Sequence, residues 1–587
     1  TFLLAAADLQ SEPLFLLLLS GSAYLLLAAA DRPSSNLAVA AGAVLALAAG
    51  AQSARPEAAE AAETAEVADA AQLGELSLTE LMALKVTTVR GASRYEQSLR
   101  DAPSSVTIVT DDEIRKHGYR TLAEVLRSVR GIHVRYDRNY SYIGVRGFDR
   151  AGDWNSRILL LVDGHRVEEN VGQSNYIGTD FPVDTGLIDH VEVIRGPGSA
   201  LYGSNAFSAV VNVVSKSARQ VGAGSATVGG GSFDTYKGGF AVAGRSTAGI
   251  EYLASASALH SRGPARLYFP EFDAPESHGG IVAGADGDEA RNVAAKVSYQ
   301  GLSLEAIYGW RRKGIPTASY ETVFGDTRGE TVDSTGFLDL GYNHESAGGL
   351  STQVHLNLTR QTYDGVYIYD DAEPGEPAAL VRNIDEQVGQ WFGAELLFAK
   401  RLAQRHRVVA GAELRDNTRQ EAANFDQEPR FVYSRTVRQS KNWGLFLQDE
   451  VALHPQLSLT AGLRHDHYPR FGGTTNPRLA LIYRPWPTTV VKALYGEAFR
   501  APSLYETDWA DPASKPNSAL LPEKIATTEI VYERQLPASF LLSVSAYRSR
   551  IEDLIGQQTD PEDGLLVNGN LDDAELRGLE GLPTEHG

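Results

Sequence analysis

Three segments of the chain gather phenol rings among polar groups: YDRNYSY (Tyr136 to Tyr142), QSNYIGTDF (Gln173 to Phe181) and YDGVYIYDD (Tyr363 to Asp371). A tyrosine brings contact area and a hydrogen bond at little cost in side-chain entropy, which suits capture of an aromatic-bearing ligand. Tyr136, Tyr140, Tyr142, Tyr176, Phe181, Tyr367 and Tyr369 are therefore the candidate ligand contacts. Covalent chemistry finds no comparable footing. With no Cys there is no thiolate nucleophile, disulfide or Cys metal site. The 13 His include no HExxH spacing, and His465 and His467 in RHDHY flank a strand end, where they serve either a haem or metal or the strand itself. GGGSF after Val228 lacks the Lys-Ser/Thr of a phosphate loop and reads as a hairpin turn. No catalytic residue, metal site or cofactor is expected, and a net charge of −20 argues against a nucleic-acid partner.

The elements that must position these rings differ along the chain. Residues 1–51 form a leader region with apolar runs from Leu14 to Ala30 and Leu37 to Ala49. The second ends in Ala49-Gly50-Ala51, which fits a secretory signal cleaved after Ala51; the first is long enough for a membrane anchor. Residues 52–84 are an Ala/Glu-rich linker followed by a short helix at SLTELMAL, where Ser77 and Glu80 have capping-box spacing. KVTTVRG, Lys85 to Gly91, is extended and β-branched and opens the region 85–97. From 98 to 216 short strands (SVTIVT, RILLLVDG, HVEVIRG, VVNVVSK) surround a helix in TLAEVLRSVRG, with Leu122, Val125 and Leu126 on one face and Gly131 as its stop. This is a compact α+β domain of about 120 residues.

After Lys216 the texture becomes long period-2 strands. Val293, Ala295, Val297 and Tyr299 share one face against Asn292, Lys296 and Ser298. Leu302, Leu304, Ala306, Tyr308 and Trp310 oppose Ser303 and Glu305. Val354, Leu356 and Leu358 oppose Gln353, His355, Asn357 and Thr359. Apolar outside and polar inside, with aromatics near the ends, is the pattern of a transmembrane β-barrel over residues 217–587. A soluble β-sandwich also alternates, but its strands average about 5–6 residues and would not repeatedly carry Lys, Glu, Gln and His on the polar face. Tyr363 to Tyr369 would suit a barrel's interfacial girdle as well as a ligand.

The order of several motifs resembles that of the TonB-dependent outer-membrane receptors over about Thr79 to Leu579. DAPSSVTIVTDDEI resembles the start of that family's plug, TLAEVLRSVRGIHV its helix and following strand, and IGVRGF with RILLLVDGHRV its central sheet. VEVIRGPGSALYGSNAFSAVVNVVSK resembles the closing plug motif, with Ser208-Ala209 where the family has paired Gly. YGEAFRAPSLYE and LLPEKIATTEIVYE resemble late barrel strands. The resemblance implies a barrel of about 22 strands, whose lumen is too wide for side chains to fill and so holds a plug. It places Lys85, Val86, Thr87, Thr88, Val89, Arg90 and Gly91 where the family has its TonB box; an ordinary first plug strand is the alternative. It also implies that Arg146 and Arg195 pair with barrel carboxylates, with Glu450 and Glu529 as candidates. The residues after Lys216 suffice for roughly sixteen strands, so the chain reads as truncated and the sheet as unclosed, a state in which it should not insert stably into lipid. The expected partners are TonB with its inner-membrane proton-driven motor, outer-membrane lipid, and a scarce nutrient, foremost a ferric siderophore, with haem or cobalamin behind it. A passive porin or adhesin, or a barrel enzyme, are the rivals from other classes.

Overall fold

The computed structural model describes residues 88–150, 152–373, 376–511, 513–536 and 540–585. The leader, the Ala/Glu linker with its short helix, and Lys85 to Thr87 lie outside the described residues.

The first unit is built on a five-stranded sheet in the order Ser105–Thr110, Ile188–Arg195, Ala209–Ser215, Ile158–Val162, His165–Arg166. ILLLV (Ile158–Val162) is apolar at every position because it pairs in parallel with Ala209–Ser215 and is covered on both faces. Helix Asp111–His117 starts on a capping box between Thr110 and Glu113 and ends at Gly118, which takes φ 68°. Helix Leu122–Arg127 buries Leu122, Val125 and Leu126 in the unit's core, as its spacing predicts. Two expectations need correcting. The helix ends at Ser128 rather than at Gly131, whose φ of 76° instead turns the chain into Ile132–Tyr136. IGVRGF is not part of the central sheet: Ser141–Val145 pairs only with Ile132–Tyr136, in a separate two-stranded ribbon.

The second unit is one 17-stranded sheet from Gly224–Gly231 to Leu566–Glu585, antiparallel except where Ser514–Lys515 runs parallel to Leu566–Glu585. Ser514–Lys515 is a two-residue strand within a loop; the other sixteen run as a meander, each paired with its successor in sequence. The polarity is inverted relative to a soluble core. Leu356, Leu358, Leu445, Leu447, Leu463, Leu479 and Leu481 are exposed on the outer face, while Arg311, Lys313, Asp333, Gln361, Arg464 and Lys492 are buried on the inner one. Lipid accepts the first set, and the second must find partners inside. They find them on the first unit, which touches the wall from Lys296 through Gln361 and Arg464 to Tyr547 and so stands inside the sheet as a plug in a barrel. Among the described residues the first and last strands, Gly224–Gly231 and Leu566–Glu585, are the two edges of the sheet.

Strand connections at one end are short, such as 300–301 and 403–405. At the other they are long, such as 262–287, 315–329 and 501–522. The two ends of the plug therefore face different surroundings.

Candidate functional site

At the short-turn end the chain enters the plug through Thr88–Val89, which pairs with Gln97–Ser98. The Glu192 carboxylate accepts the backbone N–H groups of Arg90 (2.8 Å) and Gly91 (2.9 Å) and the Asn212 amide (2.9 Å). The Tyr202 hydroxyl donates to the Gly91 carbonyl at 2.7 Å, and Arg94 pairs with Glu395 of the wall. Burial works to raise the Glu192 carboxyl, but bonds from His190, Asn212 and the two N–H groups outweigh it and hold it below the usual carboxylate range. Thr88 to Gly91 is thus clipped to the plug, with Val89 buried, as the alternative of a first plug strand has it for these four residues. An extended, β-branched segment pairs with whatever edge is nearest, and here Gln97–Ser98 supplies one.

Through the middle, plug cations meet wall carboxylates. Arg146, at φ 56° in the VRGF turn, donates to Glu529 at 2.6 Å and to Glu580 at 3.3 Å, with its guanidinium 4.1 Å from the Tyr547 ring centre. Arg195 meets neither Glu529 nor Glu450, in contrast to the sequence expectation. It donates to Thr107 Oγ1 (2.8 Å), Ser105 Oγ (2.9 Å) and the Arg130 carbonyl (3.2 Å), and its nearest carboxylate is Glu580 at 3.8 Å. Burial lowers its guanidinium, which these neutral acceptors do little to offset. Glu450 faces the lumen as its alternation requires, but its partner is the Tyr95 hydroxyl, not an arginine. Sequence reasoning missed the most buried of these pairs: Arg157 grips Glu523 with two bonds, at 2.6 and 3.0 Å, and Arg500 donates to the same carboxylate at 2.8 Å. Glu523 shares lumen parity with Glu529 on Glu523–Gln535, the signal that could have found it.

At the long-loop end the plug apex is aromatic. Tyr140 is buried, donates to both oxygens of Asp333 at 3.0 Å, and packs on Trp154 and Tyr176 at ring distances of 5.3 and 5.9 Å. Tyr142 donates to Asp137 at 2.9 Å and lies 5.6 Å from Trp154. Tyr136 is exposed. The loop after Glu168 is shaped by the Glu169 carboxylate, which accepts the N–H groups of Val171, Gly172 (2.6 Å) and Ser174 (2.9 Å) and so holds Gln173 at φ 61°. From the wall, Tyr363, Tyr367 and Tyr369 share parity with Gln361, which donates to a plug carbonyl at 2.8 Å, so they face the lumen and not the lipid girdle. The Tyr363 and Tyr367 hydroxyls are 2.6 Å apart, and Tyr320 stands edge-on to Tyr367 at 5.6 Å. Tyr505 and Trp509 stack at 5.2 Å near Asp385 and Asp511. Tyr320, Tyr505 and Trp509 come from the connections 315–329 and 501–522, where no strand periodicity places a side chain. Phe181 does not belong here: it is buried in the apolar core that the plug shares with wall residues such as Ala294 and Ile307, and its carbonyl accepts from Asn292 at 2.9 Å. His465 and His467 are also remote, for their parity puts them on the outer face beside Trp443, at ring distances of 5.8 and 5.5 Å.

Among the cavities between plug and wall are two on the side of the strand His406–Asp426. The outer, of about 220 Å³, is lined by Glu168, Asn170, Gln173, Asn417, Arg438 and Tyr468 among others. The inner, of about 350 Å³, reaches from Arg415 and Trp391 down to Thr88, Arg90 and Glu96.

Comparison with known proteins agrees with this architecture. A family model described as TonB dependent receptor-like, beta-barrel matches residues 278–582, and one described as TonB-dependent Receptor Plug Domain matches 98–210. The chain is 26% identical over 493 residues to the vitamin B12 transporter BtuB of Vibrio vulnificus (strain CMCP6), covering 80% of this chain and 71% of that protein. It is 25% identical over 533 residues to an iron-regulated outer membrane virulence protein of Vibrio cholerae serotype O1, covering 84% and 74%. In fold it is similar to a variant of the ferric enterobactin receptor PfeA of Pseudomonas aeruginosa in complex with enterobactin, with a TM-score of 0.63, 19% identity, and coverage of 82% and 78%.

Proposed function

We propose, from the premise that this chain belongs to the TonB-dependent receptors, that it imports a ferric siderophore. The family is one of outer-membrane β-barrel transporters of Gram-negative bacteria, not of enzymes. Its cargo crosses under the pull of TonB, and the short-turn end of this chain faces the periplasm, where TonB acts.

The observation that carries the cargo reading is the apex itself. Phenols and indoles from plug (Tyr140, Tyr142, Trp154), wall (Tyr367) and loop (Tyr320, Tyr505) converge at the one end where long loops can close over a guest. Flat, amphipathic rings suit a chelate with organic faces and polar edges. Relatives named for iron regulation and for ferric enterobactin support iron as the metal. Cobalamin is the second reading, favoured by the likeness to vitamin B12 transporters; haem has no support from His465 and His467, which face outward. A passive pore is disfavoured by the plug's many bonds to the wall, Arg157 to Glu523 foremost.

The proposal assigns the TonB contact to Lys85 to Thr87 and the chain just before them, with Thr88 to Gly91 as the clip that the pull must release. Val86→Pro removes a backbone donor needed for strand addition to a partner's sheet edge without touching the clip. Uptake in whole cells should fall while binding to isolated outer membranes is unchanged; normal uptake would remove this segment from the coupling. Binding screened over ferric catecholates, ferric hydroxamates, haem and cyanocobalamin tests the cargo, and binding of cyanocobalamin alone would replace the first reading by the second.

A further inference from the structure

The two cavities share one lining residue, Arg415 on the strand His406–Asp426. Its guanidinium lies over the Trp391 ring at 4.3 Å, donates to a Glu168 carboxylate oxygen at 3.3 Å and to the Glu168 carbonyl at 3.2 Å, and has a buried Nε without a partner. Glu168 belongs to the plug loop below the aromatic apex, and is gripped on its other side by Arg166 and by Asn205 Nδ2 at 2.9 Å. The Glu168–Arg415 contact thus lies between the outer space and an inner space that extends to the periplasmic face. The wall on this side is the group of strands Leu350–Asp370, Leu380–Leu402 and His406–Asp426, which line the inner cavity with Gln353, Asn357, Glu395 and Glu413.

On the opposite side, plug and wall are held together by ion pairs. There Arg146 and Arg157 are locked bidentately or doubly to Glu529, Glu580 and Glu523, and Arg130 donates to the Ser543 carbonyl at 3.1 Å. Of these, the Arg146 contacts are the costly ones to break, because its carboxylate partners, Glu529 and Glu580, are both on the wall and parting from them strands a buried guanidinium. The Glu168–Arg415 pair is cheaper to part, since Glu168 keeps Arg166 and Asn205 when Arg415 swings away, and Arg415 keeps Trp391.

We propose that cargo travels along this one wall, from the outer cavity to the inner, and that Glu168–Arg415 is the latch between them. At about 350 Å³ the inner cavity stands at the lower end of the ~300–1,000 Å³ range of small-ligand pockets, so a bulky chelate needs it widened. Thr88, Arg90, Gly91, Arg94 and Glu96 form its periplasmic floor, and they are the residues a pull from the N-terminal side removes first. Release of Arg94 from Glu395 and of Gly91 from Glu192 and Tyr202 widens the space and opens it below. The plug's other side stays bound. Energy input and path are in this way joined: the segment that is pulled is the floor of the passage.

This path rests on the transport reading above, and its test needs no cargo. The double variant Glu168→Ala/Arg415→Ala, made in a background whose floor is freed by Glu192→Ala and Glu395→Ala, purified from outer membranes and placed in planar lipid bilayers, should carry a steady ionic current where the background alone carries none; Arg130→Ala in the same background should not. Loss of the barrel's heat-dependent gel migration would mark a misfolded variant. For that case a second arm uses the absence of native Cys. Glu168→Cys with Arg415→Cys, joined by a short reducible bis-maleimide, should abolish TonB-dependent uptake of radiolabelled ferrichrome, ferric enterobactin or cyanocobalamin, whichever the unmodified protein takes up, and reductant should restore it. The same bridge between Arg130→Cys and Ser543→Cys should leave uptake intact. A folded Glu168→Ala/Arg415→Ala variant without current in that background, or uptake that survives the first bridge or is stopped by the second, overturns the one-wall path. Failure to take up any probe, with current present, would count against the cargo reading alone.

Discussion

Glu580 is the residue on which three plug arginines converge: Arg146 at 3.3 Å, Arg130 at 3.7 Å and Arg195 at 3.8 Å. Glu529 shares only the first of these. Replacing Glu580 by Ala strands several buried positive charges, so it should cost about 3–5 kcal/mol of plug stability, more than Glu529→Ala does. Denaturant titration of the plug's tryptophan fluorescence in detergent measures both. Gly131 presses on the same carboxylate: a Cβ there would stand 2.6 Å from Glu580 Oε1, at a φ of 76° that other residues avoid. Gly131→Ala should therefore destabilise by roughly 1–3 kcal/mol from the backbone alone, and removing the Glu580 side chain should relieve part of the loss. Alternation along the strands announces which carboxylates face inward, and in this way Glu529 and Glu450 were legible. It says nothing of which arginine each one meets, because that depends on where a folded plug sits against the wall. For the same reason Arg195 could be named from its motif but not its partners, which are mostly hydroxyls and a carbonyl of its own domain.

Among the elements, the entering strand Thr88–Val89 departs most from its sequence. A β-branched run after a solvated linker offers its edge to a partner, yet here the edge is taken by Gln97–Ser98, and the N–H groups of Arg90 and Gly91 and the Gly91 carbonyl that follow are taken by Glu192 and Tyr202. No local pattern discloses an acceptor 101 residues away. The clip has a pH signature. The folded-state Glu192 carboxyl is held below its ordinary value, so its contribution is present above that value and is lost as pH falls through the folded one. Hydrogen exchange at the amides of Arg90 and Gly91, corrected for intrinsic rates, should quicken as pH drops below the usual carboxylate range, and Glu192→Gln should show the loosened state already at neutral pH. Exchange that stays flat in both would mean that the clip is held by Tyr202 and Arg94 instead. Period-2 reading served the wall strands well, since Lys296, Gln353, His355 and Thr359 all face the plug as their alternation requires. It also holds the answer for Tyr363 to Tyr369, once Gln361 fixes which parity is inward.

For the molecule as a whole, two units of opposite polarity share one volume. The plug is an ordinary globular domain, with Leu159, Leu160, Val191, Val193 and Val211 fully buried, and it owes its stability to apolar burial and to ion pairs with the wall. The wall is held by strand-to-strand hydrogen bonds whose alternative, unpaired backbone in lipid, costs several kcal/mol per group. Heating should accordingly melt the plug first, inside a wall that persists. Calorimetry in detergent is expected to give two transitions, the lower one alone accompanied by loss of the near-ultraviolet signal from Trp154. Arg157→Ala takes the plug's hold on Glu523 away and leaves the buried Asp153 carboxylate of the plug without its ion-pair partner, and a penalty of about 3 kcal/mol on a domain of this size should lower that first transition by roughly 10 °C or more. The upper transition should not move, because Glu523 retains Arg500 on the wall at 2.8 Å and the Ile555 N–H at 2.8 Å. If both transitions shift together, the plug is part of what keeps the wall folded, and a pull strong enough to extract it would cost the barrel as well. Independence of the two is what lets a transporter disturb its stopper on every cycle and keep its place in the membrane.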